Sequence, residues 1–310
     1  MMRTVLITGV AGFIGSHLAE RLVDEGVDVI GLKRSTTDTW RIDHILEKMR
    51  LYDTDTCDLE EIFIENKIDC IIHLATYYTK QHSSLEEVGK MVDTNVKFPA
   101  KLCQLAVDNH VQYFINAGTF FEYALGKNEP IRECDEKSAY NFYASTKIAF
   151  SDILRFFSKD GSLISVDFKL FAPFGEKDNE KLILFLIKSL QHGTHVDFSG
   201  GEQRWNFTYV DDIVEAYMKA LEKMSSLSEY YTPLNVGYDT VATIREVAEK
   251  LEKISGKKLD IAWGAKPYIP NEIFYANCDN SQLKTILGWE QKFDIDSGLK
   301  KTFEYYSKSL

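Results

Sequence analysis

Residues 4–22 read TVLITGVAGFIGSHLAERL: an apolar, β-branched run, glycines at 9, 12 and 15, then apolar positions at helical spacing. A strand that passes through glycines directly into a helix constrains the fold more than any other stretch of this chain. The first amides of such a helix lack intrahelical acceptors and sit at the positive end of the macrodipole. They can hold an anionic pyrophosphate wherever no side chain blocks its approach. Gly9, Gly12 and Gly15 remove that block, and Phe13 and Ile14 bring the first helical amides with them. A tight turn with close helix packing is the plainer alternative, but the strand before and the amphipathic helix after are the context a dinucleotide site requires. The spacing, G-x-x-G-x-x-G, is one residue longer than the common dinucleotide fingerprint.

The alternation of short apolar runs with amphipathic stretches continues through VDVIGL, KIDCIIHLA and VQYFINAG, which implies parallel strands joined by helical crossovers on both faces. The expected fold class is α/β: a doubly wound parallel sheet of Rossmann type over residues 1–165, and a smaller α/β substrate lobe over 166–310 that returns to the first near 205–225. At 310 residues the chain is long enough for both. Its net charge of −11 argues against nucleic acid or an anionic membrane as partner, because those surfaces call for a basic stripe. The cysteines, at 57, 70, 103, 134 and 278, form no C-x-x-C or Cys/His cluster, so neither a disulfide framework nor a metal site is expected. With no apolar stretch near 18 residues and no export signal, the expected location is the cytoplasm.

Tyr143 and Lys147, in YASTK, lie four apart on an apolar-periodic stretch, so a helix puts them on one face. A phenol with an ordinary pKa of about 10 is a poor base; an ammonium beside it lowers that value and lets the hydroxyl exchange a proton with a substrate oxygen. The spacing alone means little, since with 16 tyrosines about one such pair arises by chance. Tyr123 with Lys127 is a second match, but its intervening ALG runs into NEP, which places Tyr123 in a loop. Tyr143 and Lys147 are thus the candidate catalytic pair, with a surface pair as the alternative. At the end of the second expected strand, a fold preferring NAD carries an acid for the ribose 2′-hydroxyl. This chain has Leu32-Lys33-Arg34-Ser35 there. Two cations predict NADPH over NADH, with Arg34 as the main contact and Lys33 in support.

The glycine spacing, GTFFEY at 118–123, YASTK and LFAPFG at 170–175 resemble the extended short-chain dehydrogenase/reductase family, the NAD(P)-dependent sugar-nucleotide epimerases and dehydratases. The resemblance implies adenine contacts from Asp58 and Leu59, a loop under the cofactor phosphates from Leu74, Ala75 and Thr76, and a hydroxyl, Thr119, that shares with Tyr143 the charge developing on a substrate oxygen. In the 4,6-dehydratases of the family an acid pair follows that threonine. Here the pair is Phe120 and Phe121, which cannot move a proton and become candidates for walling the substrate. Arg204, in GEQRWNFTYVDDI, resembles the family's arginine for substrate phosphates. Two positions depart: Ala172 stands where many relatives carry Asn, and KPYIPNEIFY lacks the second phosphate-binding arginine. Together LKRS, GTFFEY, YNFYASTK, LFAPFG and GEQRWNFTYVDDI look most like the nucleotide-sugar 4-ketoreductases of the CDP-abequose and CDP-paratose synthase group. That likeness implies NADPH-dependent reduction of a nucleotide-linked 4-keto-6-deoxy or 4-keto-3,6-dideoxy hexose by a homodimer. An NAD-dependent 4-epimerase is one alternative. A non-catalytic dinucleotide-sensing protein, with no need of Tyr143 and Lys147 together, is another.

Overall fold

The computed structural model describes residues 2–79, 84–126 and 129–309; Lys127, and with it the second Tyr-x-x-x-Lys pair, lies outside the described residues. One parallel sheet holds β1 (Thr4–Thr8), β2 (Asp28–Lys33), β3 (Arg50–Asp53), β4 (Cys70–His73), β5 (Tyr113–Thr119), β6 (Ile164–Leu170) and β7 (Tyr231–Val236), of which β1, β2, β4 and β5 are the runs named above. Their order is β7-β6-β5-β4-β1-β2-β3, every pairing parallel. The direction of winding reverses between β1 and β4. In such sheets the crevice outside the carboxyl ends at that reversal is where ligands bind.

Strand alternation sets the two cores. Val5, Ile7, Val29, Ile72 and Ile115 point to one face, where α1 (Phe13–Asp24) packs. Leu6, Ile30, Ile71 and Phe114 point to the other, against α2 (Leu59–Glu65), α4 (Phe98–Asp108) and α5 (Phe142–Phe157). Full burial of each such side chain contributes about 1.5–3 kcal/mol, and a slip of one residue would exchange the faces, so the register is well determined. Between α3 (Leu85–Val92) and α4, residues Asp93–Lys97 widen into a single π turn.

The expected cut at 165 falls just inside β6. The sheet continues past it, because β7 pairs along the outer edge of β6, and the expected return near 205–225 is a helix, α7, which the chain reaches after α6 (Leu182–His192): α7 (Val210–Lys223) packs on α1. β7 was hidden in the sequence because Pro233 interrupts YTPLNV. Proline lacks the ladder donor and is tolerated there only because β7 is an edge strand. The remaining lobe carries short strand pairs, among them 204–205 between 242–243 and 275–276, beside α8 (Ile244–Ser255).

Candidate active site

The glycine turn brings three backbone segments together. Gly9 has φ +67°, and a Cβ on it would lie 2.8 Å from the Ala75 amide nitrogen; a Cβ on Gly15 would strike the Gly9 carbonyl oxygen. Gly12 caps α1 without a side-chain bond, and the amides of Phe13, Ile14 and Gly15 have no acceptor among the described residues. Thr8, which sequence reasoning missed, fixes the opposing loop. Its Oγ1 accepts the Leu74 and Ala75 amides, each at 3.1 Å. With both lone pairs taken, its proton goes to His73 Nδ1 at 2.8 Å. Unpaired amides, absent side chains and the positive helix end together fit the pyrophosphate of a nicotinamide dinucleotide.

The candidate catalytic pair, Tyr143 and Lys147, sits on α5, which begins where the Asn141 side chain accepts the Ala144 amide at 2.9 Å. Lys147 is buried, its ammonium donating to the Ala117 carbonyl at 2.9 Å and standing 5.9 Å from the centre of the Tyr143 ring. Burial lowers its pKa to about 8, against the pull of the Glu122 and Asp167 carboxylates. Burial also pushes the Tyr143 phenol above its usual range, with the Thr76 hydroxyl opposing and the Glu122 charge reinforcing. The sequence-based expectation of a phenol made more acidic by its lysine is therefore corrected. The ammonium is anchored on a β5 carbonyl, and desolvation of the phenol favours its neutral form.

Thr119 ends β5. Its hydroxyl accepts the Phe121 amide at 3.3 Å, while the Glu122 carboxylate accepts the Thr119 amide at 2.9 Å. This capping box makes the short turn after β5 stiff. Asn95, in the π turn, was not found from sequence. It accepts from the Thr76 hydroxyl at 3.3 Å and the Tyr77 amide at 2.8 Å, and donates to the Tyr77 carbonyl at 2.9 Å and the Thr146 hydroxyl at 3.0 Å. Thr146 in turn donates to the Tyr143 carbonyl at 2.7 Å. Asn95 thereby ties the loop after β4 to α5. No residue pattern announces the π turn that aims it inward.

The other predicted positions divide. The Lys33 ammonium lies 3.5 Å from Asp53, so its charge is matched, whereas the Arg34 side chain is exposed and has no ion-pair partner among the described residues. Asp58 caps α2 by accepting the Glu60 amide at 3.0 Å, with Leu59 buried behind it. Phe120 and Phe121 lie 4.4 Å apart; Phe120 stacks on Phe171 at 5.2 Å, and Phe121 meets Tyr140 at 5.2 Å. Phe120 is buried and Phe121 is the more open of the two. Arg204 is not part of this wall. It is exposed and its charge acts on Glu246 of α8, while the next residue, Trp205, turns the opposite way into the Phe120 cluster and donates to the Ile273 carbonyl at 2.7 Å, as strand alternation requires. Ala172 holds the unusual φ of +26°. Tyr123 is fully buried, with its hydroxyl on Asn235 at 2.6 Å.

A family model described as the NAD dependent epimerase/dehydratase family matches residues 5–237. The chain belongs to that family. Among curated relatives it is 28% identical over 302 residues to a CDP-abequose synthase of Salmonella muenchen, with 96% of each chain covered. It is 29% identical over 325 residues to a UDP-glucuronate 4-epimerase of Thermodesulfobacterium geofontis, covering 98% of this chain and 96% of that one. Among solved structures, the UDP-glucuronic acid 4-epimerase of Bacillus cereus in complex with UDP-glucuronic acid and NAD superposes with a TM-score of 0.88 at 23% identity, covering 99% of this chain and 100% of that one. That likeness extends the family's fold over nearly the whole chain. Membership in the family carries a dinucleotide requirement that the glycine cradle of α1 meets.

Proposed function

We propose that this family member is an NADPH-dependent reductase of the 4-keto group of a nucleotide-activated deoxysugar, 4-keto-6-deoxy or 4-keto-3,6-dideoxy. One observation carries the reading: in the turn that follows Thr119 the side chains are Phe120, Phe121 and Glu122, and both Glu122 oxygens are committed, one to the Thr119 amide and one to Lys169. Dehydration needs an acid and a base beside the sugar ring, and that turn offers neither. What remains is proton exchange at a single oxygen.

The amides of Phe13, Ile14 and Gly15 and the Leu74–Thr76 loop would hold the dinucleotide, with Arg34 at the adenosine end as the cation for a 2′-phosphate. Asp58 and Leu59 would flank the adenine. When bound, the reduced nicotinamide supplies the hydride. Tyr143, kept protonated by burial, donates the proton to the substrate oxygen. Thr119 hydrogen-bonds that oxygen, and the Lys147 ammonium stabilises the phenolate left behind. The relationship to a CDP-abequose synthase supports a CDP-linked deoxysugar, and Phe121 gives the ring an apolar wall.

A UDP-sugar 4-epimerase is the second reading. It is favoured by the NAD-bound Bacillus cereus neighbour and by the Lys33–Asp53 pair, which leaves Arg34 alone to select a 2′-phosphate. Purified protein mixed with NADPH and a CDP-4-keto-3,6-dideoxyhexose decides between them. Stoichiometric loss of NADPH absorbance supports reduction. Interconversion of two UDP-sugars without net oxidation overturns it, and binding without any turnover leaves a dinucleotide sensor.

A further inference from the structure

Behind Lys147 lies a buried group of charges that the reaction itself does not use. The Lys169 ammonium spends all three protons, on Glu122 at 2.5 Å, Asp167 at 2.8 Å and the Ser151 hydroxyl at 2.7 Å. Asp167 also accepts from Asn116 at 2.8 Å and the Tyr231 hydroxyl at 2.6 Å. Glu122, Asp167 and Lys169 are each no more than 1% exposed. Ser151 stands one helical turn beyond Lys147 on α5, so the cluster and the catalytic lysine share a helix face.

Two carboxylates against one ammonium leave a surplus of one negative charge in a dry interior, an arrangement that is costly unless another cation offsets it. Burial opposes the charge on Lys169, but Asp167 and Glu122 outweigh it and hold that lysine above its usual range; Lys169 likewise outweighs burial at Asp167. The groups that act on Lys147 are Glu122 from the turn after β5 and Asp167 and Lys169 from β6. His73 from β4 also feels the lysine and is held neutral by its burial, and Tyr143 stands on the same helix. Lys137 faces the same carboxylates across the Tyr123 ring.

We propose that the Glu122–Lys169–Asp167 cluster is the built-in counter-charge of Lys147, and that Glu122 is the positioning residue that joins this charge to Thr119. The surplus carboxylate charge keeps a buried ammonium protonated at the working pH, and the same side chain fixes the strand end that carries the substrate-facing hydroxyl. Its role in turnover rests on Lys147 serving the Tyr143 phenol; the charge balance does not.

The test is an NMR titration of the full chain with side-chain 13C-labelled lysine, the Lys147 signal being the one lost in Lys147→Met. Glu122→Gln keeps an acceptor for the Thr119 amide and removes the surplus charge, so the Lys147 midpoint falls by about one to two pH units. The double variant Glu122→Gln with Lys169→Met leaves Asp167 alone as the surplus and returns the midpoint to within about half a unit of the parent. An unchanged midpoint in Glu122→Gln, or a double variant lower than the single one, overturns the proposal. If Glu122→Gln loses cooperative unfolding, Asp167→Asn removes the same charge without touching the Thr119 cap, and a midpoint that stays put there overturns it equally. The titration needs no substrate, so a parent protein that reduces no keto sugar refutes the reductase reading alone. With turnover in hand, the alkaline limb of kcat/KM follows the same order across the three proteins.

Discussion

The Lys147 ammonium donates to the Ala117 carbonyl at 2.9 Å, two residues before Thr119 on the same strand. The Lys147 cation of α5 is thus held by β5, and the hydroxyl and the ammonium keep their spacing even when the Tyr143 side chain is altered. Tyr143→Phe should therefore leave dinucleotide binding within about two-fold of the parent while lowering kcat by about 10²–10⁴. Cofactor fluorescence titration and steady-state rates separate the two effects; a variant that loses binding as well would show that the phenol has a structural role.

Arg34 and Lys33 are neighbours with different electrical surroundings, one open and one 3.5 Å from Asp53. Arg34→Ala is expected to weaken NADPH by about 10-fold or more and NADH hardly at all, in line with a charge-assisted phosphate contact. Lys33→Ala should change both by less than about three-fold, because its charge is already matched. Equal losses for the two dinucleotides in Arg34→Ala remove the charge-based argument for NADPH.

Burial places the folded-state pKa of Lys147 at about 8, below the roughly 10.4 of an unfolded lysine. Between those values the unfolded chain binds more protons than the folded one, so stability rises with pH across that window; below it the full cost of the buried ammonium is paid. Lys137 is also lowered to about 8 by burial and adds to the same trend. Urea midpoints at pH 7.5 and 9.5 should increase in the parent protein and increase less in Lys147→Met. A parent midpoint that falls over this interval contradicts a depressed lysine.

Asn95 makes hydrogen bonds to the loop after β4 and to α5, and it is fully buried. Asn95→Ala leaves the Tyr77 amide and the Thr146 hydroxyl without this partner and should cost about 2–3 kcal/mol of stability. Because the loop proposed to lie under the cofactor is released from α5, kcat should fall by about 10-fold at conditions where the variant is fully folded. Denaturant melts together with rates measured well below the midpoint check both. A destabilised variant with unaltered kcat would restrict Asn95 to folding.

The glycine turn and the Tyr143–Lys147 pair were legible because each is a local pattern: glycines after a strand, or a spacing of four on one helix face. Thr8 and Asn95 were not, since each acts through partners distant in the chain, and of the two contacts of Glu122 only the one to Thr119 is local while the one to Lys169 is not. The Thr8 hydroxyl reaches residues 73–75, and the Asn95 amide reaches α5. Arg204 shows the opposite case. A segment that resembled a phosphate-binding stretch gave the residue type, but only the strand revealed that Trp205, one position on, faces the Phe120 cluster. The phenol's acidity was also misjudged, because adjacency to a lysine can be read from spacing whereas burial cannot.

β7 closes the outer edge of β6, and Tyr231 on it supplies a hydroxyl to Asp167 from 64 residues later in the chain. On the ribosome, the first six strands therefore emerge with an open edge and with a buried-to-be carboxylate still short of a partner. Contacts so distant in sequence slow folding and lengthen the time an unpaired edge is available to neighbours. The glycine cradle of the nascent chain can form early, but the charge cluster behind Lys147 can be completed only after the polypeptide has gone out through the second lobe and come back.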